Sequence, residues 1–403
     1  MLLDRYRELF RVPAIRATML ASIPGRLPIG IAGFAILLLV QNKSGSFVTA
    51  GIASALYVLG LASVAPMIGR AIDRAGPLPV LRFCAFVYPV MLAALVMLVT
   101  MRSHVLVIAL FAYVAGAALP PVTICMRTLY PRVLADAALL QTAYSVDSLL
   151  VESVFVIGPA LVALFLAAGV PEGAVLLAAL TAGAGTVWFA RTPAIRDWEI
   201  QPRSAGSRRG VFAEPGLVVL FAATIGYSVA FGLFEIGVTA YATQRGMPAI
   251  AGIALALASV GSALGAFAYG ARHWKTPLRK QFLIALGLMA TGSLLVAPVD
   301  GVYLFMLMNV IAGAPMASVI ATQSLLLSRL APPGKLAECF TWGGTCLLGG
   351  ISGGLALGGA LAEMMAPAWI LVSAAGATGT AMLIAMVIPQ SEKLDTTDAH
   401  FVG

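Results

Sequence analysis

The chain has 403 residues, of which 60% are hydrophobic and only 10% are charged. A typical soluble domain carries about 25% charged residues, so this composition excludes an ordinary soluble protein. It also excludes a disordered chain, which requires low hydrophobicity. The mean hydropathy of +0.97 and the formal net charge of +8 together indicate a polytopic membrane protein. Because the basic residues lie between apolar segments, we interpret them as a topology signal and expect no nucleic-acid partner.

Twelve apolar segments are long enough to cross a bilayer, which requires about 20 residues for each crossing. The predicted spans are 14–40, 47–69, 80–101, 104–126, 138–168, 173–190, 215–241, 249–271, 281–298, 302–328, 337–362 and 367–388.

The basic residues predict the orientation of these spans. With the N-terminus in the cytoplasm, the outer connections contain only Lys43, Arg102 and Arg245, and Arg26 lies inside a span. The rest of the 25 Lys and Arg residues lie at or near the inner side, as the positive-inside rule requires. The pattern predicts a multi-pass protein of the inner (plasma) membrane with both termini in the cytoplasm.

The longest polar stretch between spans divides the chain into two sets of six spans. It covers residues 191–214 and contains five Arg residues. We therefore predict an N-terminal bundle over 1–190, a cytoplasmic linker over 191–214, a C-terminal bundle over 215–388 and a cytoplasmic tail over 389–403.

The two sets of spans are predicted to be repeats. Residues 51–69 align with 252–270, with identical residues at nine of the 19 positions, including Gly60 with Gly261 and Gly69 with Gly270. Residues 115–117 likewise align with 312–314. The aligned spans cross the membrane in the same direction, so the repeats are parallel, as in one large class of transporters.

Residues 69–76, with the sequence GRAIDRAG, follow the second span. This segment resembles motif A of the major facilitator superfamily, although Pro77 and Leu78 replace the usual basic pair and the second half lacks the Asp-Arg. The resemblance implies an all-α membrane protein of twelve transmembrane helices in two six-helix bundles. It also implies that Gly69, Asp73 and Arg74 contact the other bundle and control the cytoplasmic opening. The alternative is that the two charges are solvated loop residues.

Ionisable residues at membrane depth are costly and are functional candidates by default. Arg26 and Glu152 lie about 18 Å and 21 Å into the first and fifth spans, and we predict that they form a pair coupled to substrate or proton movement. The alternative is a structural ion pair. Asp147, about 14 Å deep, is predicted to contact Arg70, Arg74 or Arg127 at a gate. Glu235 in the seventh span is assigned equally to binding or to an outer gate.

Other polar and aromatic residues near these charges are candidates for lining the central cavity. They are Tyr57, Thr123, Tyr144, Tyr227, Gln323, Thr341 and Trp342.

Small and helix-breaking residues mark several spans. Glycine pairs spaced four apart, Gly261 with Gly265 and the run from Gly349 to Gly358, serve either ordinary helix packing or a surface on which the bundles move. Pro120–Pro121 and Gly158–Pro159 are predicted to interrupt the fourth and fifth spans. The second pair resembles the core of the superfamily's antiporter motif without its flanking glycines.

The sequence favours a secondary transporter over other membrane proteins. Neither HExxH nor a nucleotide-binding GxxxxGK[ST] motif occurs, and the four Cys residues have no metal-site spacing. We predict a monomer that is not an enzyme, has no cofactor or metal, and exports a drug-like or amphipathic metabolite in exchange for protons. The alternatives are proton-coupled transport of a small polar or anionic solute, such as a sugar or organic acid, and a non-transporting membrane protein.

Overall fold

The computed structural model describes residues 4–200, 210–247, 249–272 and 274–389, and all regular structure in these ranges is helical. Twelve stretches of helix are long and apolar enough to span a membrane, which confirms the predicted number of crossings. The helices are α1 Asp4–Arg11, α2 Pro13–Ser44, α3 Phe47–Ala75, α4 Pro77–Thr100, α5 Val105–Ala117, α6 Val122–Val133, α7 Ala137–Ala167, α8 Pro171–Ala190, α9 Pro193–Arg196, α10 Pro215–Gln244, α11 Ala249–Ala271, α12 Leu278–Val296, α13 Val302–Gly313, α14 Met316–Leu330, α15 Leu336–Ala362 and α16 Pro367–Ala385.

The spans form two six-helix bundles, an N-terminal half (α2–α8) and a C-terminal half (α10–α16). We call the end of the molecule that carries α1, α9 and the C-terminus of α16 the linker end, and the opposite end the far end. The exact domain boundaries stay a prediction, and residues 390–403 of the predicted tail lie outside the described residues.

Two spans are each made of two helices. The fourth span breaks between α5 and α6 at Pro120–Pro121, as predicted, because proline lacks the N–H that continues a helix. The tenth span breaks in the equivalent place, at Ala314–Pro315, which the sequence analysis did not predict.

The predicted interruption at Gly158–Pro159 is wrong, since α7 runs without a break from Ala137 to Ala167. Neighbouring helices can accommodate a proline within a spanning helix. Here α2 packs directly on this position, because a Cβ atom at Gly158 would lie only 2.5 Å from the carbonyl carbon of Gly30. The small residue therefore serves close helix packing.

Equivalent glycines pack in the same way in both halves. A Cβ atom added to Gly60 or Gly116 would lie 1.9–2.0 Å from a backbone oxygen across the α3–α5 contact. Gly261 and Gly313 show the same 1.9–2.0 Å approach across the α11–α13 contact. Only glycine permits backbones to approach this closely, so the structure bears out the repeat alignment at the level of helix packing.

The glycines of the eleventh span divide between two faces of α15. Gly350, Gly354 and Gly358 pack against α10 of their own half, which is ordinary packing, whereas Gly349 and Gly353 have no neighbouring atom within 4 Å of an added Cβ. The first set therefore does not form a surface on which the two halves slide.

Candidate functional site

A buried charge cluster occupies the N-terminal half where α2, α6 and α7 meet. One oxygen of Asp147, Oδ1, lies 2.5 Å from Arg26 Nη2 and accepts a 3.1 Å hydrogen bond from the hydroxyl of Tyr130. The other oxygen, Oδ2, lies 2.7 Å from Arg127 Nε. The side chains of Arg26 and Asp147 are at most 1% exposed. One carboxylate therefore holds two guanidinium groups inside the bundle.

The structure corrects the predicted pairing, because Arg26 pairs with Asp147 and not with Glu152. Five residues separate the two carboxylates, which places them about 140° apart around α7. Asp147 consequently faces α2 and α6, and Glu152 faces the other half. Of the partners predicted for Asp147, Arg127 makes the contact, whereas Arg70 lies 3.5 Å from Glu338 instead.

The cluster has more donors than acceptors. Two guanidinium groups face one carboxylate, which leaves a formal charge of +1. Among the described residues, Arg26 Nε and Nη1 have no hydrogen-bond partner although they are buried, and the hydroxyls of Thr123 and Ser148 are in the same situation. Buried donors normally have partners, so this region has capacity for a further acceptor.

Glu152 lies at the middle of α7 and contacts the C-terminal half. Its Oε1 accepts a 3.2 Å hydrogen bond from Ser262 Oγ on α11. Ser262 Oγ in turn accepts the backbone N–H of Ala317, at 3.0 Å, in the first turn of α14. None of the ion pairs between described residues includes Glu152. A carboxyl group at mid-depth is thus joined to the other half by one hydroxyl.

Asp73 caps a helix of the other half at the linker end. Its two carboxylate oxygens accept the backbone N–H groups of Ala337, at 3.0 Å, and Glu338, at 2.8 Å. These groups lie in the first turn of α15, where unpaired N–H groups and the helix dipole attract an anion. Gly69 lets α3 approach α15 closely at this contact, because an added Cβ would lie only 2.8 Å from the carbonyl oxygen of Ala337. Arg74 is exposed; the gating roles stay a prediction.

A second contact between the halves was not predicted from the sequence. At the start of α7, Gln141 Nε2 donates to the carbonyl oxygens of Tyr269, at 2.8 Å, and Arg272, at 3.2 Å. Thr142 Oγ1 donates to the carbonyl oxygen of Gly270 at 2.8 Å. Gly270 is the repeat partner of Gly69, so the start of a helix in one half meets the end of a helix in the other at both places. The alignment of Gly69 with Gly270 in the two repeats could therefore have predicted this second contact.

These named contacts between the halves lie between the linker end and the middle of the spans. Towards the far end, Gly51 of α3, Gly252 of α11 and Gly353 of α15 have no neighbouring atom within 4 Å of an added Cβ. In the described part of the molecule, the contacts between the halves therefore extend from the linker end to the middle of the spans.

The predicted lining residues occupy several environments. Tyr57, Tyr144 and Tyr227 are at most 4% exposed, and the last of these bonds to Gln323 within the C-terminal half at 3.0 Å. Thr341 is buried against Gly69, Thr123 and Trp342 are half-buried, and Glu235 is exposed. Their role in binding stays a prediction.

For the transport activity predicted from the sequence, replacing Asp73 by Asn is expected to lower turnover while leaving substrate affinity nearly unchanged. Asn removes the negative charge from the start of α15, and such a charge contributes about 0.3–2 kcal/mol at a helix N-terminus. The linker end then closes less completely, and we expect turnover to fall roughly 3- to 10-fold. Transport kinetics measure both parameters. The exposed Arg74→Gln variant is the control, and unchanged turnover with a large loss of affinity would contradict the prediction.

Comparisons with known proteins agree with the fold. The chain is similar to the human organic anion transporter MFSD10 (TETRAN), with 17% identity, a TM-score of 0.71, and coverage of 93% of this chain and 99% of that one. It is similar to a bacterial homologue of the iron transporter ferroportin in an outward-facing state, with 13% identity, a TM-score of 0.74, and coverage of 92% and 98%. The E. coli fucose:proton symporter FucP gives 12% identity, a TM-score of 0.72, and coverage of 94% and 99%.

A search of curated protein sequences finds no match. The family model described as "Major Facilitator Superfamily" matches residues 18–300. The matched region is more than half of the chain and includes the motif at Gly69–Gly76, the buried charge cluster and the contact between Glu152 and Ser262. Together with the twelve spans and the packing of the repeats, this match establishes that the chain belongs to the major facilitator superfamily.

Proposed function

We propose that the protein is a secondary transporter that exports an amphipathic organic molecule in exchange for protons by alternating access. The observation that carries the proposal is the hydrogen bond between Glu152 and Ser262. It joins the two halves at the middle of the membrane, where a titratable group is expensive and functional by default.

Protonation of Glu152 changes the strength of this contact. A hydrogen bond to a carboxylate is roughly twice as strong as one between neutral groups, so an ionised Glu152 holds α7 and α11 together more firmly than a neutral one. Glu152 is partly exposed while the linker end is closed. A proton that arrives from the far end therefore weakens the contact and favours opening at the linker end, where substrate enters.

Transport by the purified protein in liposomes tests this proposal. A pH gradient, acidic on the far side, should drive accumulation of amphipathic compounds, and each transported molecule should move protons in the opposite direction. Exchange of labelled for unlabelled substrate without a gradient distinguishes a carrier from a non-transporting membrane protein. If the accumulation of these compounds does not depend on the pH gradient, transport is not coupled to protons.

A second candidate is proton-coupled transport of a small anionic solute, and the unpaired donors of Arg26 favour it. A carboxylate substrate would satisfy those donors and the formal surplus charge of the cluster. The similarity to a structure described as an organic anion transporter supports the same class. A panel of neutral, cationic and anionic substrates separates the two candidates, because Arg26→Lys would reduce affinity for the anions alone.

The proposed orientation places the linker end in the cytoplasm of a cell whose inner (plasma) membrane holds the protein. Asp197 is exposed after α9 and Gly301 is exposed at the far end. In a background without the four native cysteines, we expect Asp197→Cys to resist an impermeant thiol reagent added outside intact cells. Gly301→Cys should be labelled rapidly, and the reverse pattern would invert the topology.

A further inference from the structure

A lateral groove opens on the outer surface of the C-terminal half, and at the linker end it adjoins the contact of Gln141 with α11. It has a volume of about 840 Å³ and lies among α11, α12 and the broken tenth span. Tyr269, Arg272, Trp274 and Gln281 line it at the linker end. Beyond them the lining is almost entirely apolar.

The groove faces the hydrocarbon region and follows α12 along the membrane normal. Ile284, Leu288 and Leu295 line it, and their exposed fractions are 51%, 58% and 49%. From Gln281 to Leu295 the helix rises about 21 Å, which exceeds one leaflet's share of a hydrocarbon core that is about 30 Å thick. This length and lining match an extended acyl chain.

The charge at the mouth of the groove is strongly one-sided. Arg272 lines the groove and is exposed, and its guanidinium lies 5.0 Å from the centre of the Trp274 ring. Lys275 and Lys280 are also exposed and are the chain neighbours of the lining residues Trp274 and Gln281. Between Glu235 and Glu338 the sequence contains a single acidic residue, Asp300, and this residue lies at the far end. No carboxylate on these three spans therefore competes for the basic groups at the linker end.

We propose that this groove binds an anionic phospholipid, with its phosphate at Arg272 and Lys275 and an acyl chain along α12. Basic pockets between membrane helices are suited to such headgroups, and Trp is favoured at the depth where headgroup and chain meet. The occupant is a lipid of the leaflet at the linker end. It is distinct from the transported molecule.

Lipid bound in this groove would contact the segment that closes the linker end. One wall is the end of α11, and the carbonyl oxygens of Tyr269 and Arg272 in that segment accept hydrogen bonds from Gln141 of the other half. A headgroup bound to Arg272 restrains the same turn. The bound lipid thereby stabilises the contact that closes the linker end.

Quenching of Trp274 fluorescence by brominated lipids tests the site. The full chain, with its other four Trp residues changed to Phe, is placed in nanodiscs that contain brominated phosphatidylglycerol or brominated phosphatidylcholine. We expect stronger quenching by phosphatidylglycerol. Each of Arg272→Gln and Lys275→Gln should lower its relative affinity about fivefold.

Arg82→Gln, at an exposed basic position on the other half, is the matched control and should keep the preference. If the single-Trp protein fails to fold, the difference in quenching between the unmodified protein and Trp274→Phe supplies the same measurement. Equal quenching by the two lipids, or a preference that survives both substitutions, would overturn the proposal. Displacement by inorganic phosphate alone would also overturn it, because the site would then bind a free anion.

Discussion

Asp147→Asn is expected to destabilise the protein more than any other single substitution considered for this chain. The change removes the one carboxylate that faces Arg26 and Arg127 and leaves two cationic side chains in a buried environment. Removing one partner of a buried ion pair costs about 3–5 kcal/mol. We expect a sharp fall in the amount of folded protein and in its midpoint of thermal unfolding in detergent.

The control for this prediction is Glu235→Gln, which changes an exposed carboxylate in another span and should leave the unfolding midpoint nearly unchanged. Replacing the cluster together, by Arg26→Met, Asp147→Met and Arg127→Gln, should recover much of the lost stability because no buried charge remains unpaired. Transport by the recovered protein would assign a structural role to the cluster. An Asp147→Asn protein as stable as the unmodified chain would contradict the prediction.

Glu152→Gln is expected to uncouple transport without unfolding the protein. Gln keeps an oxygen that accepts the hydrogen bond from Ser262, so the contact between α7 and α11 survives in its neutral form. The amide cannot exchange a proton, however. We expect substrate exchange to continue in liposomes while accumulation driven by a pH gradient is lost.

Two further variants sharpen this experiment. Glu363→Gln should retain gradient-driven accumulation, because that carboxylate is exposed at the end of α15 and makes no described contact with the other half. Ser262→Ala removes the hydroxyl that donates to Glu152 but leaves Glu152 titratable. The same change leaves the backbone N–H of Ala317 without its acceptor, which lowers the stability of the protein by about 1–3 kcal/mol. Accumulation by a folded Glu152→Gln protein at the unmodified level would rule out Glu152 as the coupling residue.

The sequence predicts features that depend on position along the membrane normal. Hydropathy located the twelve spans, and the repeated glycines located the close helix contacts, because both signals are local in the chain. The motif resemblance likewise indicated that Asp73 lies at the contact between the halves. In each case a residue's place along its helix was sufficient.

Direction around a helix was harder to predict. Arg26 and Glu152 lie at similar depths, yet Asp147 is the residue that faces Arg26. The packing of α2, α6 and α11 around α7 decides which side of α7 faces each of these helices. The contacts of Gln141 and Thr142 with α11 depend on the same packing. The break at Ala314–Pro315 was missed because a single proline in an apolar span is compatible with a continuous helix, as Pro159 demonstrates.

Two of the contacts at the linker end have opposite polarity. At one, the carboxylate of Asp73 accepts from the N–H groups that begin α15; at the other, the neutral side chains of Gln141 and Thr142 donate to the carbonyl oxygens that end α11. Both interactions are short and partly buried, so mobile ions screen neither of them strongly. They differ instead in their dependence on charge: replacing Asp73 by a neutral residue weakens the contact with α15 and leaves the contact of Gln141 and Thr142 with α11 intact.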